Sequence, residues 1–152
     1  MVPIDQSAKS AYWVLVADEF QARIFSREKK FSDLVEVASF ENPVARMKTG
    51  EVMADRGGRS FDSGGQGRHS VDSDKANPKT ESYPAFAKEL TRALTKGRQH
   101  RRFARLIVVA APRFLGVLRP AMKSAGIETE RTFDKAFAGQ DAAAIQRVID
   151  SD

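Results

Sequence analysis

The segment Arg105–Ala111 (RLIVVAA) is an almost unbroken run of aliphatic and β-branched residues. It is too short for a buried helix and suits a strand covered on both faces. Such strands belong to parallel sheets with helices packed above and below them. The neighbouring sequence supplies those helices. Downstream, Phe114, Leu115, Leu118 and Met122 predict a helix over Pro112–Ser124. Upstream, Ser82 can cap a helix and Tyr83-Pro84 fits its first turn. Phe86, Leu90, Ala93 and Leu94 carry that helix to about Lys96, with Gly97 as its stop.

The N-terminal third reads as strands. Ala11–Asp18 (AYWVLVAD) is a buried strand, and Ala22–Phe25 (ARIF) a second. A tight Asp18-Glu19 corner between them predicts a hairpin. Asp33–Phe40 (DLVEVASF) reads as a third strand. From Pro43 to Pro78 no apolar period is sustained, and six of the ten glycines fall there. Long loops inside compact domains are usually functional or disordered. Gly126–Phe133 alternates as an edge strand should, and Asp141–Ile149 is a last helix with Asp141 as its cap. The expected order is β-β-β, long loop, α-β-α-β-α, in a single domain spanning residues 1–152. A meander followed by βαβ crossovers is the plan of an RNase H-like mixed sheet.

Composition narrows the function. The 152 residues carry a formal charge of +5 and no cysteine. Disulfides, thiolate metal sites and Cys nucleophiles are thereby excluded. His69 and His100 are the two histidines, too few for a His-based metal centre, and no metal or cofactor is expected. No apolar run reaches the roughly 20 residues of a membrane span. Met1–Ser10 lacks the pattern of a signal peptide, so the expected location is the cytoplasm.

Two features carry candidate chemistry. One is Ser63-Gly64-Gly65-Gln66-Gly67-Arg68-His69 in the long loop. Paired glycines let backbone N–H groups approach a ligand closely. Arg56, Arg59 and Arg68 can each neutralise a phosphate. The bland alternative is a flexible linker. The other feature is Lys96–Arg105 (KGRQHRRFAR), with five Lys/Arg and no acid. It can meet nucleic-acid phosphates, or simply complement the end of a helix dipole. From Lys88 to Lys123 there are ten Lys/Arg against Glu89 alone. Trp13 and Phe103 are expected in the core. Asp18 could serve a Mg²⁺ nuclease, yet no second acid stands on a neighbouring strand. The P-loop, Rossmann and nucleophile-elbow patterns are absent, and nothing signals DNA specifically.

Several blocks together resemble a known family. Trp13–Asp18, Ala22-Arg23, Glu41-Asn42-Pro43, Asp55–Ser63 (DRGGRSFDS), Gly67-Arg68-His69, Phe86-Ala87 and Leu106–Pro112 with Leu115-Gly116 and Leu118-Arg119 are similar to the bacterial host attachment protein family. That family in turn resembles the middle domain of class I release factors of archaea and eukaryotes. The resemblance implies an RNase H-like fold and a GGQ loop that enters the peptidyl-transferase centre. It assigns Gly64, Gly65 and Gln66 to a catalytic tip that places water against the peptidyl-tRNA ester. A glycine-flanked N–H would stabilise charge on the leaving oxygen.

Two functions follow as expectations. The first is ribosome rescue or peptidyl-tRNA hydrolysis, with ribosome or tRNA as partner. Its site residues are Gly64, Gly65 and Gln66. Arg56, Arg59, Arg68, His69, Arg98, Arg101 and Arg102 would contact RNA. The second is a non-catalytic binding protein serving host attachment or RNA binding.

Overall fold

A computed structural model describes residues 10–47 and 77–151. Five strands form one mixed sheet: β1 (Ser10–Ala17), β2 (Gln21–Arg27), β3 (Val35–Glu41), β4 (Phe103–Ala110) and β5 (Arg131–Asp134). Their order across the sheet is β3-β2-β1-β4-β5. β2 runs antiparallel to both β1 and β3, while β4 is parallel to β1 and to β5. The described helices are α1 (Pro43–Arg46), α2 (Pro78–Gln99), α3 (Pro112–Ser124) and α4 (Ala142–Asp150).

The period of two in β1 and β4 divides the core into two layers. Trp13, Leu15, Leu106 and Val108 face α2 and α3, and join Phe86, Leu90, Phe114 and Leu118. Val14, Val16, Ile107 and Val109 face the other way and meet Ile145 and Ile149 of α4. The run Leu106–Ala110 is therefore buried on both sides, as its composition predicts.

Asp18 makes the β1–β2 corner. Its carboxylate accepts from the N–H groups of Phe20 and Gln21, each at 2.8 Å. Asn42, at the end of β3, binds this corner to α2. Its side-chain amide donates to Glu19 O and to Ser82 Oγ, both at 3.0 Å. Arginines hold α4 against the second layer. Arg27 pairs with Asp150 at 2.8 Å, and Arg131 donates to Ile149 O at 2.9 Å. Arg23 donates to the carbonyls of Ala138 and Gln140, just before α4.

Four expectations need correcting. The expected loop from Pro43 opens as the short helix α1, and residues 48–76 lie outside the described residues. α2 starts at Pro78, where the Asn77 side chain accepts from Lys79 N–H. Ser82 is thus inside the helix, donating to Lys79 O and accepting from Asn42. Gly97 does not stop α2. It is buried under Trp13, and the helix continues to Gln99. The edge strand is shorter than expected and begins at Arg131.

Candidate functional site

The topology separates the two sequence candidates. β1, β3 and β4 end at one edge of the sheet, which also holds Met47 and Asn77, the residues flanking 48–76. α2 then runs back to the opposite edge. Its 22 residues span about 33 Å at 1.5 Å per residue. The basic turn Lys96–Arg105 sits at that far edge. Gly64, Gly65, Gln66, Arg56, Arg59, Arg68 and His69 lie outside the described residues.

The turn closes α2 with a specific device. Arg102 N–H bonds to Gly97 O at 2.8 Å, and Arg101 N–H to Arg98 O at 3.0 Å. This double bond pattern is a Schellman ending, with Arg101 in the left-handed position at φ 58°. Glycine usually fills that position, because an L side chain costs about 1–2 kcal/mol there.

The arginines of the turn differ in what they already do. Arg98 donates to the carbonyls of Gly126 at 2.6 Å and Ala125 at 3.4 Å. Arg102 is only 7% exposed. Arg105 pairs with Glu130 at 2.9 Å. The hydrogen bond that Arg105 donates to Glu130, together with that carboxylate's charge, raises the Arg105 pKa above the ordinary guanidinium value. The Arg101 side chain is exposed, and its guanidinium has no partner among the described residues.

A different set of basic residues is assembled on the face of α2. Lys88, Arg92, Lys96 and His100 recur every four residues and are all exposed. That spacing stacks them in one row, with about 6 Å of rise between neighbours. Among the described residues, Lys88, Arg92 and Lys96 have no acidic partner. The row borders a groove between α2 and α3. Two pockets of about 390 and 410 Å³ make it up, and they share Thr91 and Ala125. Arg92, Lys96 and His100 line the first, and Lys88 the second. Val117, Pro120 and Ala121 supply an apolar floor from α3. Arg119 and Lys123 are exposed on the same helix. The density of basic residues is highest at the turn Lys96–Arg105. The signal for the row is the four-residue phase of Lys88, Arg92 and Lys96, inside the helix that the sequence predicts, and His100 joins it because α2 runs past Gly97.

The sheet edge near Asp18 is built otherwise. The Asp18 carboxylate is engaged by backbone N–H groups. Among the described residues no group of three or more His, Asp or Glu is placed to hold a metal ion. Among them also, no helix is long and apolar enough to cross a membrane.

A family model described as "Protein required for attachment to host cells" matches residues 13–149. The chain belongs to this host attachment family. The matched region runs from Trp13, packed against Gly97, to Ile149, the last buried residue of α4. The host attachment unit thus includes both core layers and the whole α2/α3 groove. No curated protein matches the chain.

Proposed function

We propose that the chain is a non-catalytic, cytoplasmic binding protein that serves host attachment through an anionic partner held on its α2/α3 face. The observation that carries this reading is the exposed row Lys88, Arg92 and Lys96, bordering a groove and lacking acidic partners among the described residues. A row of like charges repels itself, which costs each i,i+4 pair a few tenths of a kcal/mol. A ligand anion relieves that repulsion. Family membership supplies the attachment context. The test is a bacterium producing Lys88→Glu/Arg92→Glu/Lys96→Glu in place of the wild-type chain. Attachment should fall to the level of a strain without the protein, while circular dichroism and thermal midpoint stay near wild type. Wild-type attachment with the folded triple variant overturns the reading.

The sheet order favours a second reading. An order β3-β2-β1-β4-β5 with β2 alone antiparallel is the arrangement expected of an RNase H-like sheet and of the release-factor middle domain. On that reading Gly64, Gly65 and Gln66 form a hydrolytic tip. Arg56, Arg59, Arg68 and His69 contact ribosomal or transfer RNA. Arg98, Arg101 and Arg102 add a second contact, in which Arg101 has the open guanidinium. Peptidyl-tRNA hydrolysis on stalled ribosomes should then lose most of its rate in Gln66→Ala. Equal rates for wild type and variant, or no hydrolysis by either, remove the catalytic tip.

A further inference from the structure

We propose that the α2/α3 groove binds a single strand of nucleic acid, with phosphates along Lys88, Arg92 and Lys96 and bases against the floor formed by Val117, Pro120 and Ala121. The inference rests on the anion-binding reading and names the chemistry of the anion. The groove is two-sided. One wall is a cationic row at regular rise, and the floor beside it is apolar. The occupant must match both walls. A single strand does so, because its charges repeat along one side and its flat apolar rings project from the other. A duplex turns its bases inward and offers the floor nothing. A sulfated polysaccharide satisfies the row and leaves the floor unmatched. Thr95 and Gln99 line the first pocket beside the row, where hydroxyl and amide groups can meet sugar and phosphate oxygens. Exposed aromatic platforms are missing from these lining residues. Affinity should therefore depend strongly on charge and little on base sequence.

The test uses the full chain and fluorescence anisotropy. The probes are a 12-nucleotide oligouridylate, an oligothymidylate of equal length, an RNA duplex of that length and heparin. Both single strands should bind, because the sugar-phosphate path is common to them. The plot of log affinity against log salt should slope by roughly −2, from about 0.7 per phosphate contact at three contacts. Raising salt from about 50 to 200 mM should weaken binding roughly 20-fold on that slope. Arg92→Ala should reduce the slope by about 0.7. Val117→Asn leaves every charge in place and should weaken the single strands several-fold without changing heparin binding. Heparin or the duplex binding as tightly as the single strands overturns the inference. So does a Val117→Asn variant that binds them like wild type. Heparin binding that Arg92→Ala weakens, without single-strand preference, removes the strand and retains the anionic face. If none of the probes binds at low salt, both the strand and the anionic face are lost.

Discussion

Trp13→Ala is expected to destabilise the protein by about 3–5 kcal/mol, the usual range for removing a buried Trp. The indole is 2% exposed and stacks on Phe103 at a centroid distance of 4.7 Å. Its far edge lies against Gly97, where an added Cβ would come within 2.5 Å of two ring carbons. The cavity left by alanine is thus bounded by a residue with no side chain to fill it. At about 2–4 °C per kcal/mol for a chain of this size, the thermal midpoint should fall by roughly 10 °C. The partner substitution sharpens the argument. An exposed helical Gly→Ala normally gains about 1 kcal/mol. Gly97→Ala should instead lose about 1–3 kcal/mol by overpacking, because the indole is clamped between Gly97 and Phe103. In the Trp13→Ala background the same change should become stabilising, since the new methyl enters vacated space. A double-mutant cycle by urea denaturation measures that reversal. A stabilising Gly97→Ala in the wild-type background would contradict the close approach.

Asp150→Ala is expected to cost about 3–5 kcal/mol, the usual penalty for stranding a buried partner of an ion pair. The Arg27 side chain is 1% exposed, and its NH1 group bonds to Asp150. Its Nε already has no hydrogen-bond partner among the described residues. Removing the carboxylate leaves a buried cation with no counter-charge. The guanidinium also lies over the Tyr12 ring, a contact too weak to replace the ion pair. Arg27→Met should be much milder, because it removes the buried charge while keeping an apolar stem in place. Asp150 can then hydrate, being 18% exposed. Chemical denaturation of the two variants tests the asymmetry. Equal losses would mean that stranding the buried Arg27 cation carries no penalty of its own.

The central strand was legible because burial on both faces writes itself into composition, as Leu106–Ala110 does. The β1–β2 hairpin and the cap at Asp141 were legible for a local reason. Each depends on residues a few positions apart, and Asp141 does accept from Ala144 N–H. Gly97 misled for the opposite reason. A glycine after an apolar period looks like a helix stop, whereas the cause of this one is Trp13, distant in sequence. The real ending places Arg101 at positive φ, a conformation that sequence propensity argues against. Ser82 resembles a cap in sequence, and its role in bonding Asn42 is invisible there because the two residues are distant in the chain. α1 is a single turn, too short to show a period.

Site reading divides the same way. A dense run of basic residues is visible in any sequence, but density does not distinguish Arg102, which is buried, from Arg101, which is exposed. The row Lys88, Arg92 and Lys96 lies within the helix predicted from sequence, but only the fold shows that it borders a groove against α3. The glycine-rich candidate around Gln66 lies outside the described residues.

The length of α2 has a consequence for how this protein can vary. The helix holds the residues flanking 48–76 and the basic turn about 33 Å apart. Substitutions that far apart, with no shared partner, generally add without coupling. Changes at one edge of the sheet should be energetically silent at the other. The two ends of α2 can therefore drift independently of one another.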